Sequence, residues 1–158
     1  MRARRAKQSS KQSGGVVNES DKAQARAADM YANDAASKAL GIEIEVVAAG
    51  SVVATMRVRD DMVNGFGICH GGLVFALADT AFAFACNAYQ ETCVAAAANI
   101  DFLQPVKTGE VLRAEAREDR RDGRNGFYTV EVCNGDGALV ALFRGRSKAI
   151  QNSLKDQK

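Results

Sequence analysis

Residues 71–89 read GGLVFALADTAFAFACNAY, and the fold turns on how that run is understood. After Gly72 it contains neither glycine nor proline, so nothing in it interrupts a helix. Apolar residues occupy every helical face, which predicts a helix covered by protein on most sides rather than an amphipathic surface helix. Asp79 and Thr80 break the apolar run, and it is too short to cross a bilayer.

Upstream, Ser20 is positioned to N-cap a short helix over 21–31, and a second over 34–40 is closed by Gly41. Ile42, Ile44 and Val46 then alternate, as one buried face of a strand requires. The turn Ala49-Gly50-Ser51 joins that strand, over 42–47, to another over 52–59. Residues 60–70, with Asn64-Gly65 and Gly67, read as a loop. Beyond the long helix come four strands, over 94–103, 111–117, 127–133 and 139–150. Asp122-Gly123, Asn125-Gly126 and Asn134-Gly135-Asp136-Gly137 supply the turns between the last three. The expected architecture is α+β, an antiparallel sheet of five to six strands curled around a long buried central helix. It forms one domain over 19–150, flanked by disordered tails over 1–18 and 151–158.

The chain has 158 residues, 47% hydrophobic and 25% charged, which suits one globular domain. The net charge of +2 is unevenly placed. Arg2, Arg4, Arg5, Lys7 and Lys11 lie in the first 18 residues, which hold no acid; the remainder carries 16 basic and 19 acidic groups. A basic tail on a mildly acidic body argues against a nucleic-acid surface on the fold. No apolar segment resembles a secretory signal, so a cytoplasmic location without membrane insertion is expected. The four cysteines, Cys69, Cys86, Cys93 and Cys133, form no C-x-x-C pair, and reduced thiols suit their apolar surroundings. A single histidine excludes a His-rich metal centre.

From Met62 to Gln90 the one side chain expected to be charged at neutral pH is Asp79. A carboxylate in so apolar a helix needs a partner, hydrogen bonds or a shifted pKa, and acids so placed cluster at active sites. Gly71 and Gly72 open the same helix, where first-turn N–H groups lack helical acceptors and the dipole is positive. Such a start binds an anion or polarises a carbonyl oxygen. Gly71 and Asp79 lie eight residues apart, about 12 Å along a helix axis. They cannot both reach one carbonyl carbon, since reacting groups must approach within about 3 Å. If both serve one reaction, Gly71 of one subunit faces Asp79 of another, and the site requires at least a homodimer. Asn64 is a third candidate, either orienting water or the substrate carbonyl or simply forming its Asn-Gly turn. His70 is read mainly as a prop for the loop, because sequence neighbours such as Cys69 and His70 seldom meet in catalytic geometry.

Taken together, Asn64-Gly65, His70-Gly71-Gly72, Leu77-Ala78-Asp79-Thr80-Ala81 and Asn99-Ile100-Asp101-Phe102-Leu103 before Pro105 resemble the hotdog-fold acyl-CoA thioesterases. The likeness is nearest to the PaaI-type branch of phenylacetic acid degradation. It runs from about Met30 to Ile150 and leaves out the basic tail. The resemblance implies hydrolysis of acyl-CoA thioesters, phenylacetyl-CoA or its hydroxylated and ring-modified relatives, at a dimer interface, commonly in a homotetramer. CoA is then part of the substrate, and no cofactor or metal is expected. By position, Asp79 attacks the thioester or activates water, the Gly71 N–H binds the carbonyl oxygen, and Asn64 positions water or substrate. His70, Gly72, Thr80 and Phe102 are expected around the substrate. Arg144 and Arg146 are candidates for the anionic end of CoA. Some relatives hold the water with a serine or threonine on the following strand; the corresponding place is about Ala95, so that helper is absent. Two other functions compete: a hotdog hydratase or dehydratase, for which His70 is the sole available histidine, and a non-catalytic acyl-CoA sensor using the basic tail.

Overall fold

The computed structural model describes residues 18–150; the expected tails lie outside the described residues apart from Asn18. Helix α1 (Glu19–Ala32) begins at Asn18, whose side chain accepts from the Asp21 N–H at 2.8 Å. The cap therefore sits two residues before the expected Ser20. Asparagine is as good a capping acceptor as serine, and this start places Glu19 and Asp21 in the first turn at the positive end of the dipole. Helix α2 (Ala35–Leu40) is capped by Asp34 and closed by Gly41 in the left-handed conformation, φ 67°.

The sheet contains β1 (Glu43–Ala48), β2 (Ser51–Arg57), β3 (Cys93–Phe102), β4 (Val111–Asp122), β5 (Asn125–Cys133) and β6 (Leu139–Ala149). All pairings are antiparallel, in the order β1-β2-β4-β5-β6-β3. Helix α3 (Gly71–Asn87) connects β2 to β3 and packs against all six strands, most extensively β4 and β2. The residues between β2 and α3 include a 3-10 turn at Asp60–Met62, which an all-loop reading of 60–70 did not anticipate.

The expectation of a sheet curled around the helix is not met. The sheet is open: β1 and β3 are its two edges and do not pair with each other. Val74, Leu77, Ala78, Ala81, Phe82 and Ala85 of α3 are buried, whereas Gly72, Ala76, Asp79, Thr80 and Ala83 keep solvent contact. The sequence misleads because alanine and glycine count as apolar yet carry little area to bury, so a stripe of them exerts little demand for cover.

Phe82 seats the helix. Its ring meets Tyr128 of β5 at 5.3 Å and Phe143 of β6 at 5.7 Å between centroids. This close seating depends on Gly145, where an added Cβ would lie 2.9 Å from the Phe82 ring and 3.0 Å from Phe143. At the far end of the sheet the Tyr128 hydroxyl donates to Glu118 Oε2 at 2.6 Å, and Arg121 Nε donates to the same oxygen at 2.8 Å. The Arg121 guanidinium stands 3.6 Å from the Tyr89 ring centre, stacked on its face. All four cysteines are free. No helix among the described residues is long and apolar enough to cross a membrane.

The Phe82 contact gives a direct test of the seating. Gly145→Ala is expected to destabilise the protein by about 1–3 kcal/mol through overpacking, measured as a lower denaturation midpoint with an unchanged slope.

Candidate active site

Residues 60–70 hold their shape through their own backbone bonds. The Asn64 N–H donates to the Ile68 carbonyl at 2.8 Å, and the Gly67 N–H to the Asn64 carbonyl at 2.9 Å. The Asn64 side-chain oxygen accepts from the Phe66 N–H at 2.9 Å and, more weakly, from Ile68 at 3.4 Å. With its oxygen so engaged, the carboxamide has its Nδ2 hydrogens left to offer, which makes Asn64 a donor.

The end of this loop decides what the start of α3 can do. The His70 N–H donates to the Met62 carbonyl at 2.8 Å. His70 Nδ1 accepts from the Gly72 N–H at 3.0 Å, and the His70 carbonyl accepts from Leu73 at 2.8 Å. A helix start leaves four N–H groups without helical acceptors. Three are satisfied here, and among the described residues the Gly71 N–H has none. The prop expected at His70 is thus an N-cap, and Gly72, expected near the substrate, has its N–H already bonded to it.

Asn64, Gly71 and Phe102 line one cavity of about 320 Å³, together with Ile68, Cys69, Val74, Leu103, Gln104, Pro105, Val106 and Val140. Phe102 lies over the first residue of α3: a Cβ on Gly71 would come within 3.2 Å of its ring. The aliphatic lining was not foreseen. Of the other phenylalanines, Phe82 and Phe84 are core, and Phe66 is 91% exposed.

Asp79 does not line that cavity. It lies two turns further along α3, half-buried, with no hydrogen bond or ion pair among the described residues. Burial alone raises its pKa above the ordinary aspartate value. The Thr80 hydroxyl lies 3.4 Å from Ser37 Oγ, which donates to Asp34 Oδ2 at 2.6 Å; it faces α2. Arg144 and Arg146 project from the sheet face opposite α3, since Phe143 and Gly145 between them touch Phe82. Arg144 Nη1 lies 3.8 Å from Asp101 Oδ2, and Arg146 Nη1 donates to Asn125 Oδ1 at 3.3 Å. One chain therefore unites Asn64, Gly71 and Phe102, and leaves Asp79, Thr80, Arg144 and Arg146 elsewhere. Among the described residues no group of three or more His, Cys, Asp or Glu side chains is arranged to hold a metal ion.

The chain has known relatives. Residues 66–141 match the Thioesterase superfamily. The chain is 46% identical over 135 residues to the acyl-coenzyme A thioesterase PaaI of Escherichia coli strain K12, covering 85% of this chain and 96% of that protein. The solved structure of the E. coli PaaI protein from the phenylacetic acid degradation operon superposes with a TM-score of 0.83, covering 85% of this chain and 97% of that one. An N33D mutant of the phenylacetic acid degradation protein PaaI from Thermus thermophilus is 37% identical. It has a TM-score of 0.69 and covers 72% and 97% of the two chains. With its single unspent amide at the start of α3 and a likeness that spans nearly the whole of its E. coli relative, the chain belongs to the hotdog-fold thioesterases, close to PaaI.

Proposed function

We propose that this acyl-CoA thioesterase hydrolyses phenylacetyl-CoA and its hydroxylated or ring-modified relatives, at sites shared between the subunits of a homodimer or a homotetramer built from such dimers. The observation that carries the mechanism is the Gly71 N–H, left without an acceptor beside the Asn64 carboxamide at one cavity. Two donors converging on a carbonyl oxygen stabilise the charge that develops there as the carbonyl carbon becomes tetrahedral. Asp79, as a carboxylate, takes the proton from an attacking water, or attacks the carbon itself to form an anhydride that water then cleaves. In both routes the C–S bond breaks, CoA leaves as the thiol or thiolate, and the oxygen of water ends in the free acid or the carboxylate.

The shared site is supported by two features of the protomer. The stripe Gly72, Ala76, Asp79, Thr80 and Ala83 keeps solvent contact along one side of α3, and β3 is an open sheet edge with residues 95–98 exposed. A two-fold axis that brings β3 edges and α3 stripes together sets Asp79 of each copy toward Gly71 of the other. Arg144 and Arg146 on the outer face are assigned to the anionic end of CoA, reached around the β3 edge.

Asp79→Asn is expected to lower kcat/KM by about 10²–10⁴ while melting at or above the wild-type temperature at pH 7. The sign follows from burial. An acid with a raised folded pKa binds more protons when folded, so it lowers stability as pH rises through that value, and the amide removes this term. Because the carboxylate is the active form, the acid limb of the wild-type pH–rate profile should fall above the ordinary aspartate pKa. Turnover near the wild-type rate in Asp79→Asn would reject this chemistry. Single turnover in oxygen-18 water tests the nucleophile route, since label appears in the protein only when an anhydride forms and water opens it at the Asp79 carbonyl.

Subunit sharing is tested by mixing. Gly71→Pro removes the donor at a helix position that tolerates proline. Unfolding and refolding an equal mixture of Gly71→Pro and Asp79→Asn chains is expected to restore about a quarter of wild-type activity, from the intact site of each mixed dimer. No restoration would place both groups in one chain's site. For the cations, Arg144→Ala with Arg146→Ala should raise KM for phenylacetyl-CoA by about three- to tenfold and leave KM for the N-acetylcysteamine thioester unchanged.

A further inference from the structure

Two consecutive arginines of β4 take opposite faces of the sheet. The register of β4 against β5 shifts between Glu118 and Arg120, a bulge that sets Asp119 and Arg120 on the same side. Asp119 accepts there from the Thr129 hydroxyl at 2.6 Å. Arg121 turns inward, to Glu118 and the Tyr89 ring. Arg120 lies on the outer face opposite Phe127 of β5, and Phe127 is in turn opposite Arg146 of β6. Directly opposed residues have Cβ atoms about 5 Å apart, so two arginines flank one ring. Arg144 and Lys148, two residues to either side of Arg146, stand diagonal to it. Phe127 is 40% exposed. Among the described residues its ring meets no other aromatic ring, and no cation stands over its face.

Charge is sorted around that ring. Arg113 pairs with Glu115, Arg117 with Glu131 and Asp119, and Arg144 with Asp101. Among the described residues Arg120, Arg146 and Lys148 have no acid in ion-pair range; Arg146 donates to Asn125 Oδ1 at 3.3 Å, and Asp122 stands opposite Asn125 at the end of β4. A bare aromatic face between unpaired cations suits a planar ligand that carries negative groups at its edges. Two strand spacings, about 10 Å, separate Arg120 from Arg146, and four residues, about 14 Å, separate Arg144 from Lys148. That is the footprint of one nucleotide. A longer polyanion would run onto Asp119, Glu115 and Glu131, and a second copy of this face would set cation against cation. Resting on the acyl-CoA thioesterase reading above, we infer that this outer row is the subsite for the nucleotide end of CoA. The adenine stacks on Phe127, and Arg120, Arg146 and Lys148 take the phosphates. The row selects CoA thioesters over those that carry the same pantetheine arm without a nucleotide. It lies within reach of the chemistry. From Asp79, α3 runs eight residues, about 12 Å, to Asn87, whose side chain bonds both backbone groups of Cys93. Cys93 pairs with Ala149, next to Lys148. The extended pantetheine arm has about a dozen backbone bonds, as many as four residues of chain, and spans about 14 Å.

The test compares phenylacetyl-CoA with phenylacetyl-pantetheine, and uses adenosine 3′,5′-bisphosphate as an inhibitor that lacks the thioester. In the wild type kcat/KM should favour the CoA thioester at least tenfold, through KM, and the bisphosphate should compete with it. Phe127→Ala should cut that preference about tenfold and weaken the inhibition to the same degree, while Phe127→Tyr retains both. Arg120→Ala with Lys148→Ala should lower both and flatten their dependence on salt. That pair of exposed side chains keeps the test decisive if Phe127→Ala does not fold, and thermal melts identify folded variants. A preference within twofold of wild type in folded Phe127→Ala overturns the assignment and leaves the thioesterase reading standing. A smaller assembly of that variant on size-exclusion chromatography does the same, because it would make Phe127 a contact between subunits. A wild type that hydrolyses neither thioester overturns both readings.

Discussion

His70 controls the start of α3, and the rest of the site depends on it. Its own N–H is tied to Met62, its ring takes the Gly72 N–H, and its carbonyl takes that of Leu73. This geometry requires Nδ1 to be the unprotonated ring nitrogen, since an acceptor must present a lone pair. A helix start without such a cap would offer several amides to solvent and bind anions loosely. Here a single amide remains, at a residue with no side chain, and its direction is set by the first turn of a helix seated in the core. Electrostatic preorganisation consists of a dipole already aimed, with no reorganisation left for the reaction.

That helix is rigid because Phe82 rests against Tyr128 and Phe143, and it can approach so closely because Gly145 lies beneath it. The same seating commits one side of α3 to the sheet and leaves Gly72, Ala76, Asp79 and Ala83 in solvent contact on another. With β3 unpaired along one edge, the protomer presents backbone donors and acceptors next to a helix face of small residues. Open edges of this kind are ordinarily paired, covered or guarded by charge, and β3 between Cys93 and Ile100 carries no charged side chain. On the proposed cross-subunit reading, the unguarded edge and the divided site are aspects of one arrangement.

Much of this was legible in sequence, for identifiable reasons. Gly41 and Gly71 as helix boundaries and the alternation in the strands are local signals, and the structure has each where local physics puts it. The openness of the sheet was not legible, because counting Ala76 and Ala83 as apolar overstated the demand for cover. The cap at Asn18 was missed because Ser20 is a plausible acceptor two residues on. The cavity beside Gly71 could not be read, since its lining residues Ile68 and Val74, Leu103 and Val106, and Val140 come from three separate stretches and none is unusual alone. Phe102 is the aromatic that the fold brings to Gly71. Its distinction is position on an edge strand, which composition does not express.

On the proposed mechanism, Asp79 connects chemistry to assembly. In one protomer its carboxylate is half-buried, with burial as the one resolved cause raising its pKa and no cation beside it to oppose the shift. Water still reaches it. On the cross-subunit reading, a second copy laid over the α3 stripe removes part of that water and brings no arginine or lysine from α3, which has none. Desolvation then acts further in the same direction, toward a stronger base, in the step that also delivers the donor of the neighbouring Gly71. A carboxylate placed beside a cation would have been more comfortable and a poorer base. On that reading the absence of arginine and lysine along α3 serves two ends at once: it lets two helices meet, and it keeps Asp79 ready to accept a proton once they have.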